Sequence, residues 1–205
     1  LGEGKKTAAL EICEQLDFSV PDAVVVAVGD GCIIGGLAKG FADLVRLGFV
    51  NRVPRLYGVQ AQGASPLVAA FDKGEQVAGS WPRATTCADS ICVGRPRDHI
   101  KALRAVRETG GAMVAVEDEA IRAAMRRLAR QAGVFAEPAG ATGFAGLDHL
   151  KSRQLLTKND KVVVLVTGNG LKDVTTARQA VSAQPHLVEA NLAAVGRLLD
   201  NRERS

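Results

Sequence analysis

The residues Val28-Gly29-Asp30-Gly31-Cys32-Ile33-Ile34-Gly35-Gly36 stand directly after a β-branched apolar stretch and directly before a helical pattern. Glycines at such a junction let successive backbone N–H groups converge. The helix that follows adds the positive end of its dipole, so a dianionic phosphate meets several donors at once. A tight strand-to-helix turn whose glycines serve packing alone is the competing reading of the same residues. A Walker loop ends in Gly-Lys-Ser/Thr, which is missing here, and the spacing Gly29, Gly31, Gly35 is one residue too long for the G-x-G-x-x-G dinucleotide fingerprint. ATP and NAD are therefore disfavoured. Asp30 inside the loop would repel a phosphate, so its side chain is expected to turn away and bond to backbone N–H groups.

A second constellation is Thr167-Gly168-Asn169-Gly170-Leu171-Lys172-Asp173, at the C-terminal end of the apolar run Val162 to Val166. Open α/β sheets place their ligands at that end of their strands, so both loops are expected to face one pocket. Taken alone, this loop also reads as a turn in which glycines permit positive φ and Asn169 caps backbone groups.

The elements that must hold these loops follow from periodicity. Lys5 to Leu16 reads as a helix ended by Pro21, and Ala23 to Val28 as a short strand buried on both faces of a parallel sheet. A helix from Gly35 to Leu47, a strand from Arg55 to Gln60 and a short helix after Pro66 complete a βαβ unit. Gly74 to Pro96 lacks periodicity and reads as a long surface excursion. Ala112 to Val116 is a strand, and Asp118 and Glu119 open a helix that reaches Ala132, their charge favouring its N-terminus. Its Arg122, Arg126 and Arg130 share a face, read as solvated. Ala139 to Ser152 is a small-residue helix suited to close packing on a sheet, and Lys161 to Val166 reads as the clearest central strand. After Pro185 a last amphipathic helix carries Val188, Leu192, Val195 and Leu199 on one face, expected to dock on its own core or, as a homodimer, on a second subunit, with self-docking favoured.

Composition bounds the function. At 205 residues and 47% hydrophobic content one sizeable core is expected, and no run approaches the about 20 uncharged apolar residues of a membrane helix. With no signal-peptide pattern either, a cytoplasmic, membrane-free protein is expected. Cys13, Cys32, Cys87 and Cys92 lack paired zinc spacings and read as reduced thiols, with no metal site. The net charge of +4 is spread over 26 basic residues, and only six Phe, one Trp and one Tyr could stack on bases, which argues against nucleic acid.

Taken together, Glu3-Gly4-Lys5-Lys6-Thr7, Val28-Gly29-Asp30-Gly31-Cys32-Ile33, Gly58-Val59-Gln60-Ala61, Ala88-Asp89-Ser90-Ile91, Glu137-Pro138-Ala139-Gly140-Ala141 and Thr167-Gly168-Asn169-Gly170-Leu171-Lys172-Asp173 closely resemble threonine synthase, in that family's order, from residue 3 to about residue 181. The resemblance implies an α/β fold with an open, mostly parallel sheet flanked by helices: the large C-terminal domain of the tryptophan synthase β-like, fold type II architecture. It implies pyridoxal 5'-phosphate as cofactor and an amino-acid substrate, O-phosphohomoserine, converted with water to threonine and phosphate. It also implies that Gly29, Asp30, Gly31, Cys32 and Ile33 form the cofactor phosphate loop and that Thr167 meets the pyridine nitrogen. A neutral hydroxyl there would not hold the nitrogen protonated, and so would moderate the ring as an electron sink. Ala88 to Ile91 and Glu137 are implied to line the pocket.

The family's Schiff-base lysine lies in a Ser-Phe-Lys-Asp type segment, followed by a Ser-Gly-Asn type loop, and neither occurs in these residues. Lys172 is the lysine nearest the implied cofactor site but does not correspond to the Schiff-base residue. The expectation is a C-terminal portion of such an enzyme, inactive alone and without a catalytic residue of its own. In it, residues 1–20 would form a helix at the edge of a missing N-terminal part, and residues 21–205 a cofactor-binding α/β domain with a C-terminal helix. Another fold type II ammonia-lyase, acting on serine, threonine or diaminopropionate, and a non-catalytic module for a phosphorylated ligand are the alternatives.

Overall fold

The computed structural model describes residues 2–181 and 186–202. Four parallel strands, β1 (Ala23–Ala27), β2 (Arg55–Ala61), β3 (Met113–Val116) and β4 (Val162–Leu165), form one sheet in the order β3-β2-β1-β4. The helices are α1 (Gly2–Lys5), α2 (Thr7–Gln15), α3 (Cys32–Arg46), α4 (Pro66–Asp72), α5 (His99–Glu108), α6 (Asp118–Ala132), α7 (Pro138–Ser152), α8 (Val174–Ala180) and α9 (Leu192–Arg202).

Alternation along the strands divides the core into two layers, because successive side chains in a strand point to opposite faces. Val24, Val26 and Leu56 face α2, α3, α4 and α5, in a cluster that includes Ile34, Leu37, Phe41, Leu67 and Leu103. Ala23, Val25, Tyr57 and Val59 face α6 and α7, in a cluster that includes Ile121, Met125, Ala141 and Leu150. Val24, Val25 and Val26 are wholly buried, and each contributes about 1.5–3 kcal/mol relative to exposure. The continuous valine run in β1 is thus what a strand covered on both faces requires.

Close approach of α7 to the sheet depends on its small residues. A Cβ on Gly143 would stand 3.3 Å from the Ala27 nitrogen, and one on Gly146 would collide with the Val59 side chain. The small-residue helix read in the sequence therefore packs as expected. Helix α6 spans the residues read for it, with Gly133 at φ 66 ending it in the left-handed conformation.

Three expectations are corrected. β4 is the edge of the described sheet, not its centre, and all four of its residues are only half-buried. Its apolar composition suits a strand covered on both faces, but among the described residues only its β1 side is paired. Helix α3 begins at Cys32, three residues before the expected start, because Gly31 at φ 90 turns the chain into the helix at once. The last helix does not bury its apolar face: Leu192, Val195 and Leu199 are 90%, 39% and 56% exposed, and Val188 precedes the helix. Among its described residues only Ala194 is buried, which leaves the favoured self-docking without support. Pro185 lies outside the described residues. Helices α5 and α8 went unread: α5 follows the aperiodic stretch from Gly74 to Pro96, and α8 is seven residues long.

Candidate functional site

Strands β2 and β3 extend the sheet to one side of β1, and β4 lies on its other side. The order therefore reverses between β1 and β4, and the crevice at their carboxyl ends is where such sheets hold ligands. The loop after β1 and the loop after β4 both open onto it.

The first loop is a row of backbone donors. The first turn of a helix has no intrahelical acceptors for its N–H groups, and in α3 the first ladder bond runs from the Gly35 N–H to the Gly31 carbonyl, 3.1 Å. Gly31, the N-cap, has no side chain to satisfy the N–H groups of Cys32, Ile33 and Ile34. Among the described residues no backbone carbonyl accepts from Gly29, Asp30 or Gly31 either. The first turn of α3 carries no acidic residue. Asp30 turns away as expected: its carboxylate accepts from the Arg97 N–H at 3.1 Å, while its carbonyl accepts from the Asp98 N–H at 2.9 Å. Glycine is required at two positions. A Cβ on Gly29 would approach the Ile91 Cα to 3.1 Å, and one on Gly31 would stand 2.7 Å from the Ala102 Cβ in a backbone conformation that already disfavours side chains.

Thr167 is held by a short antiparallel ladder that the sequence did not disclose. The Glu137 N–H donates to the Gly168 carbonyl and the Gly170 N–H to the Phe135 carbonyl, both at 2.9 Å, with Ala136 paired to Asn169. The Asn169 side chain caps the turn by accepting from the Leu171 N–H at 2.9 Å. α7 starts immediately after this ladder, so the small residues that seat it on the sheet also fix Thr167. A Cβ on Gly140 would stand 3.1 Å from the Gly168 nitrogen.

The two loops meet in one cleft of about 130 Å³, lined by Val28 to Ile34, Ser90, Ile91, Ala139 and Thr167, with Ala27 at its base. Gly29, Asp30, Gly31, Cys32, Ile33 and Thr167 are thus brought together as expected. Ala88 is buried without lining the cleft. Asp89 and Glu137 do not line it either; the Glu137 side chain is 8% exposed and 3.1 Å from the Lys172 ammonium. Ala139 went unread as a lining residue because an alanine carries no chemical signal. A larger hollow of about 660 Å³ between α3 and α5 shares Gly31 and Cys32 with the cleft. Its Lys39, Lys101 and Arg104 are paired with Glu3, Asp98 and Glu108, so it offers no such row of unsatisfied donors.

The arginine face of α6, read as solvated, is in part paired and half-buried. Arg122 and Arg126 both pair with Glu119, and Arg126 also donates to the Ala180 carbonyl at 2.6 Å, which ties α8 to α6. All four cysteines are free. Burial, reinforced by Asp118, pushes the Cys87 thiol up to about 11, so it is a thiol and not a nucleophile near neutrality. Among the described residues no His, Cys, Asp and Glu side chains gather as a metal site, and no helix is long and apolar enough to cross a membrane.

A profile described as pyridoxal-phosphate dependent enzyme matches residues 1–168. The chain belongs to that family. It is 39% identical over 197 residues to a threonine synthase of Methanocaldococcus jannaschii, covering 96% of this chain and 48% of the relative. It is 41% identical over 175 residues to one of Mycobacterium bovis, covering 85% and 46%. The chain spans about half the length of the curated relatives it matches. Its fold is shared with the processed form of threonine deaminase isoform 2 from Solanum lycopersicum, TM-score 0.71 at 23% identity, covering 88% of this chain and 48% of that one. It is shared also with an L-serine ammonia-lyase from Rhizomucor miehei, TM-score 0.70 at 23% identity, covering 87% and 56%. The architecture is that of the fold type II enzymes, and the family's cofactor is pyridoxal phosphate.

The residues present fit that group. A phosphate needs several donors and no nearby carboxylate, and the turn into α3 supplies bare backbone N–H groups with Asp30 turned aside. Across the same cleft lies Thr167, whose side chain is neutral and adds no carboxylate to it.

Proposed function

We propose that this chain forms the cofactor cradle of a threonine synthase-like enzyme that converts O-phosphohomoserine and water to threonine and phosphate. The convergence of the α3 donor row and Thr167 on one cleft, in a chain 39% identical to a threonine synthase, carries this reading. When bound, pyridoxal phosphate supplies an electron sink conjugated to the reacting carbon of an amino acid.

Gly29 to Ile33 hold its phosphate through backbone N–H groups, aided by the positive end of the α3 dipole. Thr167 meets the ring nitrogen without protonating it, which limits how much negative charge the ring withdraws. Ile91 and Ala139 give the cleft apolar walls beside the donor row. The amine that this chemistry requires comes from a lysine segment outside these residues, so the chain alone turns nothing over.

The test is to supply the chain with the half of the Methanocaldococcus jannaschii relative that the match does not cover, add pyridoxal phosphate, and assay each candidate reaction. Phosphate release from O-phosphohomoserine, dependent on both halves, is expected. Ammonia release from serine, threonine or diaminopropionate with no phosphate release would replace the synthase reading by an ammonia-lyase. Ligand binding with no turnover of any of them would leave a binding module.

A further inference from the structure

Three segments meet at the rim of the cleft around one cation. The Lys172 ammonium donates to the Ser90 hydroxyl oxygen at 2.6 Å and lies 3.1 Å from a carboxylate oxygen of Glu137. Lys172 is itself 61% exposed, whereas the Glu137 side chain is almost wholly buried, so the lysine is held outward-facing on a fixed anchor. That anchor does not move freely, because the Glu137 N–H is bonded to Gly168 in the ladder that carries Thr167.

The direction of the bond to Ser90 decides what Ser90 can do. An ammonium only donates, so the Ser90 oxygen accepts from it and keeps its own hydrogen to give away. The described acceptor in reach, Glu137 Oε2, is 3.5 Å distant, at the outer limit of a hydrogen bond. Donation from the cation also polarises the hydroxyl and makes it a better donor. Ser90 lines the same cleft as Gly29 to Ile33 and Thr167.

We propose that Ser90 is a further cofactor-contacting residue, donating to an oxygen of the bound ligand, and that Lys172 is the positioning residue that aims and polarises it from its anchor on Glu137. The inference rests on the reading that the cleft holds pyridoxal phosphate. It gives Lys172, conspicuous in its loop yet not the Schiff-base lysine, a role through Ser90.

Pyridoxine 5'-phosphate is the suitable probe, because it lacks the aldehyde that would condense with surface lysines. Its affinity is measured by titration calorimetry for the chain, Ser90→Ala, Lys172→Met, Lys172→Arg and the Ser90→Ala/Lys172→Met double variant, with circular dichroism to confirm folding. Ser90→Ala and Lys172→Met should each weaken binding about tenfold, as loss of one charge-assisted hydrogen bond would, and the double variant no further than either. Lys172→Arg should stay within about threefold, its cation still donating. Inorganic phosphate as a second probe locates the acceptor: the same losses place it on the phosphate, and losses confined to the vitamer place it on the ring. Wild-type affinity in Lys172→Met, or losses that multiply to about a hundredfold in the double variant, would overturn the proposal, since a lysine serving only the Glu137 ion pair would not act through Ser90. No binding by the unmutated chain would instead bring down the cofactor reading, and this inference with it.

Discussion

At the scale of single residues, Gly31 bears most of the site's geometry. It turns the chain at φ 90, caps α3 without a side chain, and lies against Ala102 and the Asp98 carbonyl. Gly31→Ala combines a disfavoured left-handed backbone with that collision and should cost about 1–3 kcal/mol of stability, read by urea unfolding. It should also weaken pyridoxine 5'-phosphate binding more than tenfold. The sequence marked Gly31 as part of the turn but set the helix start at Gly35, because a glycine's spacing does not show where φ turns positive, whereas the physics of a carboxylate beside a phosphate disclosed that Asp30 turns away. It did not disclose the acceptance from Arg97, sixty-seven positions further on, since nothing local to Asp30 marks a contact that the α5 approach creates.

At the scale of elements, the sheet is fastened below the site by Asp160, which links the turn before β4 to β2. Its carboxylate accepts from the Thr157 N–H and from Arg55, each at 2.6 Å, while Arg55 also reaches the Leu155 carbonyl at 3.0 Å. The Thr157 N–H first, and then the Thr157 hydroxyl and Arg55, outweigh desolvation and hold this carboxyl below its ordinary value of 3.8. A carboxyl with a lowered folded-state value contributes stability that is fully present above the ordinary value and is lost as pH falls through the lowered one. Asp160→Asn should therefore lower the Tm at pH 7, and the difference from the unmutated chain should shrink as pH drops below 3.8. A difference independent of pH, followed by thermal melts, would assign the effect to packing instead. Strands β1, β2 and β3 and helices α6 and α7 were legible because each has a clean apolar period or a marked terminus. The position of β4 in the sheet was not, since period and composition say that a strand is apolar but not which neighbours it has.

At the scale of the whole molecule, the described structure leaves an open parallel edge. A groove of about 750 Å³ runs beside β4, lined by Ala8, Ile12, Val134 and Phe135 as well as by the strand itself. Phe135 and Leu171 near it are 43% and 73% exposed. Edge strands with unpaired backbone groups and apolar surroundings recruit other chains. The chain alone should associate with rising concentration and bind a hydrophobic dye, as sedimentation velocity and fluorescence would show. A monomer at every concentration would mean that this edge is better protected than its exposure indicates.

At the centre stands the proposal that the turn into α3 and the Thr167 loop hold one phosphorylated pyridine between them. Its most direct test is the amide spectrum of the ¹⁵N-labelled chain titrated with pyridoxine 5'-phosphate. Saturable shifts are expected at Gly29, Gly31, Cys32, Ile33 and Thr167, with the α3–α5 hollow at Lys39, Lys101 and Arg104 unmoved. Shifts centred on that hollow, or none at the loop, would contradict it.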